Sequence, residues 1–410
     1  MAIVKPFSAF RPRKDIVGDV AALPYDVYNR QEAKEVVSKN PLSFLRIDRA
    51  ETAFDDCVST YDSCVYEKAK ELLDSMIDNG EYIQEAKDIY YIYELIMDGR
   101  SQTGIVACAS IDDYLNNVIK KHEKTREDKE IDRINHVDIC NAQTGPIFLA
   151  YRAQNEIDEI VNKNKVKEPE YSFMSEDNIF HNVWLIDDES DINTIHNCFA
   201  NMSDVYIADG HHRAASAVKV GIKRRNEASK VDPDAEYNYF LSVFFPDNQL
   251  KILPYNRVVR DLNGYTKEEF FEKIKEHFTV CLCDEPYSPT EKCNFGMFID
   301  NNWYRLIGKD DIKSSDPVKG LDVSILQEYL LAPILGIEDP RTDSRIDFVG
   351  GIRGLKELER RVNSDMKVAF SMYATSINEL FEVADADMLM PPKSTWFEPK
   401  LRSGIFVHKL

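Results

Sequence analysis

Apolar positions along the chain recur at two spacings, about two residues or about three and a half. The changes between them divide the sequence into strands and helices. Residues 3–10 are short and apolar, and residues 20–27 read as a strand running into a turn. Asn29 is placed to cap a helix over 30–40, with Pro41 at its end. Residues 53–79 read as one long amphipathic helix, because Tyr61, Val65, Ala69, Leu72, Leu73 and Met76 share a face. Residues 89–96 and 103–111 are strand-like, and Asp98-Gly99 between them predicts a hairpin.

The stretch 114–138 is highly charged and helix-compatible. A buried strand follows over 145–151, a helix over 155–167, a strand over 181–186 and a helix over 190–202. Residues 204–208 form a short apolar run, 213–225 a helix rich in Ala and Lys, 231–234 a loop and 237–245 an apolar strand. Beyond them, helices over 267–278, 323–335, 354–364 and 377–384 alternate with strands over 295–299, 303–307 and 367–373. The pattern predicts an α/β or α+β protein with mixed sheets. Three regions are expected: 1–115, 116–245 and 246–410.

Composition narrows the function classes. The chain has 410 residues, 43% of them hydrophobic, enough for more than one sizeable core. Its formal charge of −20 opposes non-specific nucleic-acid binding, which needs a basic footprint. No apolar run approaches the ~20 residues that cross a bilayer, so no membrane partner is expected. Eight cysteines without a CxxC pair, and no secretory signal, fit reduced thiols in a cytoplasm. The lone Cys281-Leu-Cys283 lacks the second ligand pair of a zinc site.

Chemistry concentrates where the apolar run 204–208 ends. Asp209, Gly210, His211, His212 and Arg213 follow in one block and lead into a helix. Glycine permits a tight turn, and the free N–H groups of a helix start favour an anion. Two imidazoles and a guanidinium add donors, so the block reads as a phosphate cradle. Two alternatives stay open: a turn whose polar groups only cap the helix, and a metal site using Asp209 with the histidines.

A second cluster is Lys120-Lys-His-Glu-Lys-Thr-Arg126 with Lys129, Asp132 and Arg133. A solvated charged helix explains it plainly, yet Glu123 among cations also suits a general base or magnesium ligand beside a polyphosphate. A third is Met390-Pro-Pro-Lys-Ser-Thr395, with Lys393, Ser394 and Thr395 on a proline-stiffened loop and Lys400, Arg402 and Ser403 just beyond. It is either an ordinary loop packed through Trp396 and Phe397 or a contact for an anionic ligand. Asp26 in Leu23-Pro-Tyr-Asp-Val27 sits where ligand groups or turn caps occur. Walker, dinucleotide-binding, GxSxG and protein-kinase signatures are all absent.

Taken together, Lys5-Pro-Phe, Pro24-Tyr-Asp-Val27, His122-Glu-Lys-Thr125, Gly145-Pro-Ile-Phe148, Ala208-Asp-Gly-His-His-Arg213, Leu321-Asp-Val-Ser324 and Met390-Pro-Pro-Lys-Ser-Thr395 resemble, nearly end to end, the domain-of-unknown-function family numbered 1015. The turn also resembles, more distantly, the ParB and sulfiredoxin superfamily, which includes free-serine kinases. There a His-Glu pair precedes the turn and its glutamate is the catalytic base.

That resemblance implies a ParB/sulfiredoxin-like phosphate-binding core with further α/β elements at both ends. It implies ATP or ADP as donor, Mg²⁺, L-serine as acceptor, and Glu123 with His122 as the catalytic pair. Residues 209–213 would hold the phosphates, with Asp209 near the metal. Asp26, Thr125, Arg126, Lys129, Arg133, Lys393, Ser394 and Thr395 are the candidate substrate or phosphate contacts. About 60 residues separate strand 147–151 from the turn here. A ParB-like nucleotide-hydrolysing switch and a metal-dependent hydrolase are the alternatives; the oligomeric state is left open.

Overall fold

A computed structural model describes residues 1–230 and 232–410; Val231, first residue of the expected 231–234 loop, lies outside the described residues. The chain forms two compact units, residues 1–250 with 399–410 and residues 251–398.

The first unit is built on a nine-stranded mixed sheet. Its order runs Ile119–Lys120, Val205–Asp209, Ile147–Tyr151, Tyr239–Pro246, Arg100–Ser110, Tyr90–Met97, Phe180–Ile186 and Tyr171–Met174, with Val4–Lys5 added on Arg100–Ser110. Strands from 1–115 and from 116–245 therefore share one sheet. One face buries Ile92, Ile105, Leu149, Ile207 and Phe244 against Ala214 and Val218 of helix His211–Glu227 and Phe199 of helix Glu189–Ala200. Each large aliphatic or aromatic group so buried contributes about 1.5–3 kcal/mol.

Local chemistry explains the elements that match expectation. Asn29 and Glu32 form a reciprocal capping box that starts helix Arg30–Lys39. Asp98 and Gly99 both take positive φ, the geometry of a two-residue hairpin turn, between Tyr90–Met97 and Arg100–Ser110. The long helix expected over 53–79 covers only Ser63–Asp78, because the Asp62 side chain caps it at Cys64.

Residues 20–27 are not a strand: a short helix Val17–Val20 and a 3₁₀ turn Tyr25–Val27 flank a single bridge from Ala22 to Ser403. The charged stretch 114–138 is not one helix either. It holds strand Ile119–Lys120, a loop, and helix Glu127–Cys140.

The second unit carries a six-stranded antiparallel sheet in the order Phe278–Cys283, Asn302–Gly308, Asn294–Ile299, Val368–Ser371, Tyr255–Val259 and Ile346–Gly350. Three of those strands, at 255–259, 278–283 and 346–350, carry no clear alternation in the sequence. Leu358 of helix Gly354–Val362 packs with Val258, Phe298, Trp303 and Ala369 of the sheet. The helix expected over 323–335 is Asp322–Leu326 followed by a π-helical turn, Gln327–Leu331.

Candidate functional site

The site is set by strand register. Val205–Asp209 pairs in parallel with Ile119–Lys120, with Tyr206 opposite Lys120. Parallel strands leave a sheet at the same end, so the segment after Lys120 and the turn after Asp209 emerge there together, and Glu123 reaches His211. The other neighbour, Ile147–Tyr151, runs antiparallel, and its register slips between Ile207 and Asp209. Such a bulge re-aims side chains at the strand end. The 60 intervening residues leave this pairing intact, because strand Phe180–Ile186 joins Tyr90–Met97 on the far side of the same sheet.

Gly210 turns the chain with φ +93° and precedes helix His211–Glu227, whose start has no side-chain cap. His211 and His122 meet edge to face, ring centroids 4.5 Å apart. Glu123 Oε2 lies 3.7 Å from His211 Nδ1. Both rings are buried, His122 to 2% exposure and His211 to 5%. Burial pushes His122 down to about 4, although Asp209 pulls the other way. Burial, then the neighbouring His122, hold His211 well below the ordinary imidazole range. Both are neutral at pH 7, so the His211–Glu123 contact is not an ion pair. His122 also bonds the backbone of Ile207. Among the described residues His122 Nδ1 and His211 Nε2 have no hydrogen-bond partner, and buried nitrogens in that state are costly unless a ligand or water meets them.

Asp209 accepts from Lys400 Nζ at 2.9 Å. Burial alone would raise its carboxyl, but Lys400 and Arg213 outweigh it and hold Asp209 below the usual carboxylate range. The site thus carries a fixed anion already paired with a lysine. Among the described residues no three His, Cys, Asp or Glu side chains gather to hold a metal. Lys400 engages Oδ2 of the Asp209 carboxylate.

Two residues of the block spend side-chain nitrogens on the protein's own backbone. Arg213 donates to the Pro146 carbonyl, and its guanidinium lies beneath Gly210. His212 Nε2 accepts from the Arg126 N–H at 2.9 Å, which ties the 121–126 loop to the helix start. Thr125 is bonded to Glu130, which also pairs with Lys219. The Arg126 side chain pairs with Asp128 in solvent. Lys129 contacts the Tyr61 hydroxyl at 3.2 Å. Arg133 is buried, bonded to Asp132 and stacked 4.0 Å from the Tyr25 ring. Asp26 is exposed, yet its charge reaches His212.

Lys393, Ser394 and Thr395 belong to the second unit. There Lys393 has φ +58° and its carbonyl accepts from Arg257, while the Ser394 hydroxyl donates to Pro391. The neighbours Arg402 and Ser403 are also accounted for: Arg402 is buried with its guanidinium on Asp177, and Ser403 bridges to Ala22. Sequence reading did not find Asp48, His136 or Tyr25, which line cavities behind the turn. Asp48 and His136 stand in no motif, and Tyr25 was passed over beside Asp26 in Pro24-Tyr-Asp-Val27.

Comparison with known families adds one decisive observation: residues 4–324 match the family described as Protein of unknown function (DUF1015). The chain belongs to that family. Solved structures similar to this DUF1015 chain include C-terminally truncated SbnI from Staphylococcus aureus, at 11% identity with 72% of this chain and 82% of that one covered and a TM-score of 0.39. They also include a free serine kinase in complex with AMP, at 14% identity, 74% and 91% coverage and a TM-score of 0.36. A conserved hypothetical protein from Pyrococcus furiosus is similar at 14% identity, 74% and 94% coverage and a TM-score of 0.35. No curated protein matches the chain.

Proposed function

We propose that the protein is a nucleotide-dependent phosphotransferase acting on a small-molecule hydroxyl, with L-serine as acceptor and ATP or ADP as donor. The observation that carries this reading is the placement of the Glu123 carboxylate 3.7 Å from His211, at the uncapped start of a 17-residue helix. A base and an anion-favouring helix terminus then share one position, as phosphoryl transfer requires.

In the proposed step Glu123 accepts the proton of the acceptor hydroxyl. The acceptor oxygen forms a bond to the terminal phosphorus. The bond from that phosphorus to its bridging oxygen breaks, and the nucleotide leaves with the electron pair and one phosphate fewer. Helix N–H groups at 211–213 and the Lys400 ammonium are the groups available to the phosphoryl oxygens. The neutral His122 and His211 offer their unpartnered nitrogens to the ligand. Arg213 braces Gly210 from behind and His212 fixes the base-bearing loop. Mg²⁺ would arrive on the nucleotide phosphates and neutralise their charge, with Asp209 the carboxylate that would stand beside it.

The test is ³¹P NMR of the purified protein with Mg²⁺, ATP or ADP, and L-serine. A phosphomonoester signal matching O-phosphoserine, absent without serine, is the expected result. Loss of nucleotide to free phosphate regardless of serine would replace the kinase with a nucleotide-hydrolysing switch. Glu123→Gln is expected to lower turnover by about 10²–10⁴-fold while nucleotide still binds; normal turnover in that variant would remove Glu123 from the mechanism.

A further inference from the structure

Behind the signature turn, the first unit contains two adjoining cavities. The inner one, about 30 Å³, has room for a water or two and is walled by Arg213, Gly145, Thr144 and Ser403. The outer one, about 270 Å³, lies near the lower end of the ~300–1,000 Å³ typical of small-molecule pockets. Tyr25, Asp48, Arg133 and His136 line both. At the outer end stand Asp26, Tyr61 and Lys129.

The shared wall is charged and buried. Asp48 is 4% exposed and Arg133 7%. Removing an ion from water costs several kcal/mol unless partners replace the water. For the other buried acids those partners are present. Asp132 receives the Tyr66 hydroxyl at 3.0 Å and Arg133 Nε at 3.0 Å, and Glu51 receives Arg49. Asp48 and Arg133 are less complete. Asp48 accepts one hydrogen bond, from the Thr144 hydroxyl at 2.7 Å. Arg133 spends Nε and Nη2 on its neighbour Asp132 and lays its face on Tyr25. They influence each other by charge, yet among the described residues no hydrogen bond or ion pair joins them. A guanidinium and a carboxylate facing one cavity without meeting form a receptor for a molecule carrying both opposite charges.

We infer that this cavity is the acceptor pocket and that it selects a small zwitterion, with the acceptor's carboxylate on Arg133 and its ammonium on Asp48. The inference rests on the phosphotransfer reading for the word acceptor, and on the cavity alone for the zwitterion. The geometry ties pocket to turn in two ways. Arg213 of the turn forms part of the inner wall. Arg133 stands on helix Glu127–Cys140, directly after the loop that carries Glu123. Asp26 at the outer end also lies within Coulombic reach of His212, the second residue of the helix that follows the turn.

Calorimetric titration of the wild-type protein tests the pocket without any variant. L-Serine, ethanolamine and 3-hydroxypropanoate share the hydroxyl but differ in charge. Serine is expected to bind at least ten-fold tighter than either truncated analogue. Equal affinity for one of them, or no saturable binding of any of the protein amino acids, overturns the inference. Arg133→Gln is expected to weaken serine ten-fold or more at unchanged ATP affinity, and Asp48→Asn to abolish discrimination against 3-hydroxypropanoate. Phosphoester formation is read separately. Serine phosphorylation with unchanged KM in Arg133→Gln would sink the pocket and leave the phosphotransferase. Arg133-dependent zwitterion binding with no phosphoester from any nucleotide would uphold the pocket and sink the phosphotransferase.

Discussion

Gly210 is the residue on which the candidate site turns. Its φ of +93° lies in the left-handed region, and a Cβ there would stand 3.0 Å from the Arg213 guanidinium. Left-handed backbone costs a non-glycine residue about 1–2 kcal/mol, and the guanidinium has to move as well. Gly210→Ala is expected to lower stability by about 1–3 kcal/mol and to weaken nucleotide binding. Denaturant unfolding together with calorimetry checks both; an alanine variant with wild-type values would mean the turn tolerates another backbone. Lys400→Met probes the opposite wall. It leaves the half-buried Asp209 carboxylate without its lysine, so the carboxyl rises and an added anion meets more repulsion. Nucleotide affinity is expected to fall by ten-fold or more, and an unchanged affinity would remove Lys400 from the phosphate site. The block Asp209–Arg213 stands out in the sequence because four polar residues around one glycine at a strand end have few other uses. The inward direction of Arg213 and the occupation of His212 were not, because both depend on partners at Pro146 and Arg126 brought there by tertiary structure.

Among elements, the ordering of strands decides more than their individual propensities. The Tyr206–Lys120 register brings Glu123 to the helix start, although strand Ile119–Lys120 is two residues long and sits in a stretch whose charges read as helix. Local signals were reliable where a side chain closes its own turn, as at Asn29–Glu32 and Asp98-Gly99. They failed where pairing with a strand further along the chain supplies the stabilisation, as at 278–283 with 302–308 and at 346–350 with 255–259. The far side of the first sheet shows how such a strand is secured. His181 is fully buried, with Nδ1 2.9 Å from the Tyr93 hydroxyl and Nε2 3.0 Å from the Ser175 hydroxyl, and its ring stacks on Phe173. Burial, then Arg402, push it down to about 3. In the unfolded chain the same ring titrates near 6.5. Between those values the unfolded state binds the extra proton. This ring's contribution is therefore complete above pH 6.5 and is lost as pH falls toward 3, at most about 5 kcal/mol in all. His181→Gln is expected to be less stable at pH 7 by about 1–3 kcal/mol, yet to lose less on acidification than the wild type. Denaturant midpoints at pH 7, 5.5 and 4 read the difference; parallel pH profiles would show that His181 titrates normally.

At the scale of the molecule, the chain leaves the first unit at residue 250 and returns to it at 399, so the second unit is an insertion. Its entry and exit are adjacent, for the Glu398 N–H lies 3.5 Å from the Lys251 carbonyl. The returning segment is not a loose tail. Arg402 is 2% exposed with its guanidinium on Asp177, Phe406 packs against Tyr91, and His408 bonds Glu236 at 2.7 Å. Lys400 of the same segment supplies the ion pair to Asp209. Two deletions should then behave in opposite ways. Removing 399–410 strips buried groups from the first unit, leaves Asp177 without Arg402 and takes the His408 hydrogen bond from Glu236; it is expected to abolish cooperative unfolding. Replacing 251–398 by a short Gly-Ser linker keeps every one of those contacts, and closing so small a gap costs little chain entropy. That shortened protein is expected to unfold cooperatively and to bind nucleotide within about ten-fold of the full chain, an affinity set by the helix start, the two histidines and Lys400 alone. Circular dichroism melting and calorimetry measure both quantities on one sample. A folded shortened protein with no nucleotide affinity would place essential binding groups in the second unit, with Lys393, Ser394 and Thr395 the first to substitute; retained affinity would confine the phosphate site to the first unit.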